Sequence, residues 1–500
     1  MFSSRISFRA MVDRITLNKV TTAFFLFGFF HCIAQGVIQS ILLRHDAIHS
    51  TFLDRIVHTA GVPPANHTFL ASNTVKVCDS IPHELDKCWD AYTLGSSVHS
   101  DNVINGLAVP PPREISMFPT NVDSDPVGIR LRDGKEVALT KQCVATLLLP
   151  AEEMANNRRE DVTFLLIQFW LFGMAVFAMV RDSVPHLIAS ICARVLLVAW
   201  SSYVIWRTKY TEMMYAQLLR AEGTPCSIEF FPEYFGTRTM LEIPDLVLNC
   251  TSLAIAIWTV LRVYSRQSYQ CVGAPSHILR MQKLNMAVQA CLHLEVYVLL
   301  TAMGLWVDQL FGTYIKYSSK HTKLYVAVII LYSVLVLPWT VLGWYAIRQE
   351  NRRALYTFLF VGFLFFFTAS MMFYSEVFRW AFLSWPNLGC YTVAYMVLTA
   401  ACVVLAVCCL RNFGQGLKEY LHAVSNLASM NFSPEVFTHG DVEKAKLPQP
   451  EVPLPLYLEK AGPVAVDNGN RPPSTFFVPT LHIRQESGAE LVVGIKSGRR

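Results

Sequence analysis

Eight stretches of this 500-residue chain are long and apolar enough to cross a lipid bilayer, and they constrain the fold more than any motif does. About 20 mostly apolar residues are needed, because a helix rises 1.5 Å per residue and the hydrocarbon layer is about 30 Å thick. They run from Val20 to Leu43, Val162 to Val180, Leu187 to Trp206, Leu246 to Leu261, Met286 to Trp306, Leu324 to Ile347, Ala354 to Tyr374 and Leu388 to Leu410. The fourth is the shortest and can be extended toward Ile243, with Pro244 at its mouth. Composition agrees, since 53% of the residues are hydrophobic and 16% charged, against about a quarter charged in soluble domains. The 42 basic residues barely outnumber the 37 acidic ones, so no nucleic-acid-binding surface is indicated. The expected fold is an α-helical polytopic membrane protein of eight transmembrane helices, one plus seven, with a small β-containing exterior domain between helices 1 and 2.

Orientation follows from the retention of Lys and Arg in short cytosolic loops. Loops 181–186, 262–285 and 348–353 carry eight basic residues against Asp182 and Glu350 over 36 positions. The opposite loops, 207–242, 307–323 and 375–387, spread eight basic residues over 66 positions and offset them with seven acids. The first set is therefore expected in the cytosol, and Arg5, Arg9, Arg14 and Lys19 agree. The resulting map is a cytosolic N-terminus over 1–19, helix 1 over 20–43, an exterior domain over 44–161 and a seven-helix domain over 162–411. An amphipathic juxtamembrane helix over 412–432 and a disordered cytosolic tail over 433–500 complete it.

The first segment has a second reading as a cleaved signal peptide, given its basic leader, the apolar run Val20–Phe30 and the small residues Cys32 and Ala34. Retention is favoured, because apolar character resumes at Val37, Ile38, Ile41, Leu42 and Leu43, beyond the usual 7–15-residue core of a signal. His31, Gln35 and Gln39 recur every fourth residue, which puts a polar stripe on one helix face that should point toward protein.

In the exterior segment, Arg44–Ala60 can prolong the first helix. The alternating run Val127–Leu149 around Asp133-Gly134 reads as a β-hairpin. Asn66-His67-Thr68 is a glycosylation sequon if it faces the lumen. Cys78, Cys88, Cys143 and Cys226 fall on the exterior side and can pair in three ways. The favoured arrangement is Cys78 with Cys88 and Cys143 with Cys226, since the second bond would staple the exterior domain to the bundle. A zinc site at His45 and His49 lacks further ligands at recognised spacing, so no metal is expected.

Charges deep in a membrane helix face a partner or a water-filled cavity and mark functional candidates. Arg194 and Glu295 lie at similar depths, about 12 and 18 Å from the cytosolic end at 1.5 Å per residue. They are expected to pair, with His293 and Gln289 as a second polar face on helix five. That core would gate helix movement or conduct a proton, whereas the plainer reading is a structural ion pair. Pro338 beside Trp339 is expected to kink helix six. The Phe358–Phe367 run reads as lipid-facing or packed surface, and Trp380 and Trp385 as an outer aromatic belt. In the tail, Leu417, Tyr420, Leu421, Val424 and Leu427 recur at helical spacing, preceded by Cys408 and Cys409 as palmitoylation candidates. Residues from Ser433 onward are polar and proline-containing, a segment suited to a cytosolic partner or simply a flexible tail.

Several segments resemble a family of uncharacterised multi-spanning membrane proteins of basidiomycete fungi. They are LWVDQL from Leu305, PWTVLGWYAIRQENRR from Pro338, MFYSEVFRW from Met372, NFGQGLKEYL from Asn412 and SPEVFT from Ser433. The likeness covers roughly residues 280–440 and, more loosely, FGFFHCIAQGVIQS from Phe27. It implies a membrane location and supplies no catalytic residues; the membrane is expected to be that of the secretory pathway or the plasma membrane. The layout alone is also similar to Wntless-type cargo receptors and Golgi seven-helix proteins, without a shared motif. The leading expectation is a non-enzymatic receptor-like or cargo-handling protein that binds an exterior ligand and needs no cofactor. The alternative is a transporter or channel using Arg194, His293 and Glu295. An enzyme ranks third, because the sequence has no H-E-x-x-H, G-x-S-x-G or phosphate-binding glycine loop.

Overall fold

The computed structural model describes most of residues 15–421. Residues 1–14, 17–18, 80–87, 97–106, 109–114, 121–126, 132–133, 182, 271–275, 319–321, 415, 417, 419–420 and 422–500 lie outside the described set, as do the side chains of 107–108, 181, 263–270, 276 and 318. The tail over 433–500 and nearly all of the amphipathic helix expected over 412–432 therefore fall outside it.

Among the described residues, eight helices are long and apolar enough to span a membrane. They are α1 (Lys19–Thr59), α2 (Lys141–Arg181), α3 (Val184–Tyr215), α4 (Tyr234–Gln270), α5 (Ser276–Gly312), α6 (Thr322–Arg348), α7 (Arg352–Met372) and α8 (Pro386–Arg411). The protein is a polytopic membrane protein, and Phe30, Phe177, Leu261, Val334, Phe360 and Val397 project from the outer helix faces where lipid belongs. α1 to α4 run far past the apolar spans at the same end of the bundle, and the β region sits at that end. α2 starts at Lys141, about twenty residues before its apolar span. The polar run Glu152–Asp161, expected in the exterior domain, is helical, and its side chains find partners in neighbouring elements. α4 likewise begins ten residues before Pro244, which lies inside it and not at its mouth.

The β region is inserted between α1 and α2. Strands β1 (His67–Ala71), β2 (Thr74–Cys78) and β3 (Cys88–Thr93) form one antiparallel sheet. β5 (Ser116–Pro119), β6 (Val127–Arg130) and β7 (Glu136–Leu139) form a second, while the two-residue strands β4 (Leu107–Ala108) and β8 (Ile228–Glu229) pair in parallel. The expected hairpin is β6–β7, its turn passing through Gly134 at φ 79°, a conformation glycine adopts without steric cost. The second half of the expected run, from Lys141 on, is helix instead of strand. Val75, Val77, Ile129, Val137 and Leu139 pack with Leu53 and Ile56 of α1 and Leu147 of α2, which anchors the sheets on the helical extensions.

The eight helices pack as two sets of four. α1 lies against α2 and α4, and α3 against α2 and α4; α5 lies against α6 and α8, and α7 against α6 and α8. α3 and α5 join the sets. In the second set α6 continues through Pro338, and Trp339 stacks on Phe358 of α7 at 4.7 Å and donates to its carbonyl oxygen. The phenylalanine run divides accordingly, with Phe358 and Phe365 buried and Phe360, Phe363 and Phe367 exposed. A Cβ at Gly343 would lie 2.5 Å from the Phe358 ring, which also stacks on Trp339. Gly343→Ala is therefore expected to destabilise the protein by about 1–3 kcal/mol. Gly304→Ala, whose Cβ would meet nothing within 4 Å, serves as the control in thermal unfolding of the detergent-solubilised chain.

Candidate functional site

Polar residues on three helices meet in a seam through the first four-helix set. α4 presents Arg238, Glu242, Asp245, Asn249 and Ser252 at alternating steps of four and three, a single helix face. The α1 stripe turns toward it. His31 bonds to the Leu248 carbonyl oxygen at 3.2 Å, and Gln35 donates to the Asp245 carbonyl oxygen at 3.1 Å. Gln39 donates to Asp245 Oδ1 at 2.8 Å. α3 adds Ser201, which donates to Asp245 Oδ2 at 2.9 Å beside Asn249 at 3.0 Å. Asp245 is thus buried with only neutral donors around it.

Toward the β region the seam becomes ionic. Arg238 is 3% exposed and pairs with Asp46 of α1 and, at 2.7 Å, with Glu242. Tyr234 also donates to Asp46, at 3.0 Å, and Asp161 of α2 stands 3.9 Å from the same guanidinium. Glu160 accepts from Trp200 at 2.6 Å and from Arg207 at 3.0 Å. Of these residues the sequence reading singled out none. Their signal was the continuing stripe, since Asp46 follows Gln39 by seven residues and Arg238–Glu242–Asp245 precedes Asn249 at helical spacing.

Arg207 and the neighbouring turn of α2 also floor a groove of about 960 Å³ between the β region and the bundle. Its walls combine Asn66, Thr68 and Leu70 of the β region with Asp54 and His58 of α1. Glu152, Glu153 and 155–159 of α2, Tyr203, Trp206 and Tyr210 of α3, and Tyr314, Trp380 and Trp385 complete them. Many of the polar groups are held in place. Glu152 accepts the Thr68 backbone N–H at 3.2 Å, Tyr215 donates to Glu153, and Arg159 pairs with Asp308 and with Asn156 at 2.9 Å. Trp380 and Trp385 thus line the groove rather than forming a belt toward lipid; Trp385 is buried and Trp380 donates to Tyr314 at 2.8 Å. The sequon residue Asn66 is half-buried on the groove wall.

Two disulfides brace this end, Cys78–Cys88 across β2 and β3 and Cys143–Cys226 from the first turn of α2 to the segment before β8. Both match the favoured pairing. His45 and His49 pack against Tyr234 at 5.1 and 4.9 Å, and among the described residues no three His, Cys, Asp or Glu side chains converge to hold a metal ion.

β1 is seated on the bundle through His67, stacked on Tyr314 at 4.5 Å and edge-on to Trp380 at 5.4 Å. Burial pushes its pKa down from 6.5 to about 4. The unfolded chain takes up the proton as pH falls through 6.5, and the folded chain only near 4, so stability from this residue is present above 6.5 and is lost down to about pH 4. His67→Phe, which keeps the sequon, is expected to flatten the fall in melting temperature across that window, measured against the unaltered chain.

The deeper polar residues do not form the expected core. Arg194 donates to Ser252 of α4 at 2.6 Å, and Glu295 accepts from Thr399 of α8; they are not paired with each other. α3 turns Arg194 into the first helix set, whereas α5 turns Glu295 into the second, so equal depth does not bring them together. His293 faces α3, with its Nε2 2.9 Å from His186 Nε2, and its Nδ1 is 2.6 Å from the Gln289 carbonyl oxygen. Gln289 donates to Asn285 at 3.0 Å, which leaves it on the polar face expected for α5. At the far end Cys409 is buried and Cys408 half-buried, so of the two acylation candidates only Cys408 is partly accessible. No family model, curated protein or solved structure matches the chain.

Proposed function

We propose that the protein is a non-enzymatic, receptor-like or cargo-handling membrane protein that holds an amphipathic ligand in the groove beneath its β region. The observation that carries this reading is the groove itself. The inserted β region and the helices build it together, where the apolar span of α3 gives way to its polar extension. Its volume of about 960 Å³ stands at the upper end of the roughly 300–1,000 Å³ of small-molecule sites. Aromatic faces from Tyr203, Trp206 and Tyr210 offer an apolar wall, and Arg158 and Lys316 offer positive charge to a head group. A ligand that touches both β1 and α3 would couple the β region to the helices. In this reading the β region is outside and the C-terminus cytosolic, as the loop charges favour, and α1 is retained because it supplies Gln35, Gln39 and Asp46 to the seam.

Native mass spectrometry of the purified full chain tests the proposal. Ala155 lines the groove, and Ala155→Trp narrows it. Small molecules that co-purify with the unaltered chain should be lost from the variant at unchanged thermal stability. Retention of the same species by the variant would place binding elsewhere. The transporter reading draws on the buried Glu295 and on the contact between His186 and His293. It predicts proton or solute flux in reconstituted vesicles that Glu295→Gln abolishes, an outcome that would replace the receptor reading.

A further inference from the structure

Behind the groove floor lies a second, much smaller cavity of about 20 Å³, bounded by Gln39, Glu160, Asp161, Ser201, Glu242 and Asp245 with Arg238 beside them. That is room for one water-sized occupant. Three of the bounding side chains carry a buried oxygen with no hydrogen-bond partner: Gln39 Oε1, Asp161 Oδ2 and Glu242 Oε2. Asp161 is 2% exposed, and Glu242 and Gln39 are 4% exposed, so water outside the protein does not serve these atoms. All three are acceptors. Orphaned buried acceptors of this kind cost about 1–3 kcal/mol each, more when charged, unless something donates to them.

The charge balance points the same way. Around the cavity five carboxylates, Asp46, Glu160, Asp161, Glu242 and Asp245, face two guanidinium groups, Arg207 and Arg238. Buried charge without a counter-ion is unfavourable, so the excess negative charge calls for positive charge among those oxygens. Protonation would lower the charge, but a proton fills no volume and brings no donor to several oxygens at once. A small cation fills the volume and is coordinated by several oxygens at once. A divalent ion would seek several carboxylates in one shell, and no three converge that way among the described residues. The mixed set of carboxylate, amide and hydroxyl oxygens suits a single positive charge.

We infer that this cavity binds a monovalent cation of sodium's size, coordinated by Asp161, Glu242 and Gln39 with Ser201 at its edge. The Arg207–Glu160 pair separates it from the groove, so the cation lies one ion pair away from the site proposed for the ligand. The inference does not depend on that ligand, because the cation is tested by itself.

The test is thermal unfolding of the detergent-purified full chain at constant ionic strength, with sodium chloride replaced stepwise by the chloride of N-methylglucamine, a cation too large for the cavity. Sodium is expected to raise the unfolding temperature saturably, by roughly 2–5 °C, as a ligand of the folded state alone must. Asp161→Asn with Glu242→Gln keeps the side-chain shapes and should abolish the sodium dependence while stabilising the sodium-free protein. If that double variant does not fold, Gln39→Leu is read in its place and should weaken the sodium dependence at least threefold. Retention of radioactive sodium by the unaltered chain, competed by unlabelled sodium and not by N-methylglucamine, gives a readout that needs no variant. Unfolding that ignores the identity of the cation and follows pH alone would overturn the inference in favour of protons. So would a sodium response undiminished in the variants.

Discussion

Replacing Arg238 by methionine is expected to be the most damaging single change in the membrane domain. The guanidinium touches Asp46, Tyr234 and Glu242 and lies 3.9 Å from Asp161, all in a buried setting. Methionine matches much of the volume but leaves these carboxylates facing one another. Removing one member of a buried ion pair costs about 3–5 kcal/mol, and here one cation serves several acids. The expected result is little monodisperse protein after detergent extraction, read by size-exclusion chromatography. Adding Asp46→Asn to Arg238→Met should recover part of the loss, because the two changes share one network and are therefore not additive. If the double variant is no better than Arg238→Met, repulsion at Asp46 is not the cause.

The second large effect is expected at Cys143–Cys226. The bond closes a span of 83 residues, for which the chain-entropy relation gives about 4.5 kcal/mol. That figure is an upper bound, because α2 and α3 stay threaded in the membrane when the bond is opened and the freed chain gains less entropy. The bond also ties the start of α2, which carries β7 into the bundle, to the segment that leads into β8 and α4. Cys143→Ala with Cys226→Ala should lower the unfolding temperature more than Cys78→Ala with Cys88→Ala, whose bond closes a span of only 10 residues. It should also expose the backbone amides of β5–β7 to hydrogen exchange, while those of α5 to α8 stay protected. Equal losses from both pairs would show that local packing, and not chain closure, sets the effect.

Much of the architecture was legible from residue types alone. Apolar length located all eight helices, because in lipid a long apolar segment satisfies its backbone hydrogen bonds within itself only as a helix. Asp133-Gly134 marked the β6–β7 hairpin, and Cys78, Cys88, Cys143 and Cys226 paired as favoured. The helix ends were not legible in the same way. Apolar length ends where lipid ends, but α2 continues through Glu152–Asp161 because Thr68, Tyr215, Arg207 and Trp200 take up its carboxylates. Cutting the helices at the apolar boundary cut the polar seam as well. His31, Gln35 and Gln39 lie inside that boundary, and Asp46, Arg238 and Glu242, which continue the same faces, lie beyond it.

The Arg194–Glu295 expectation shows where a single chain stops being informative. Sequence position determines how deep a side chain lies, since each residue adds a fixed rise along the helix. It determines which residues share a face, and so the stripe on α4 and the buried side of α1. Which helix that face meets depends on the packing of the eight helices against one another. The structure turns Arg194 toward Ser252 and Glu295 toward Thr399, in different halves of the bundle. Depth, span and stripe were thus properties of the sequence; the partner across the stripe, the groove and the cavity behind it exist only once the helices have closed around them.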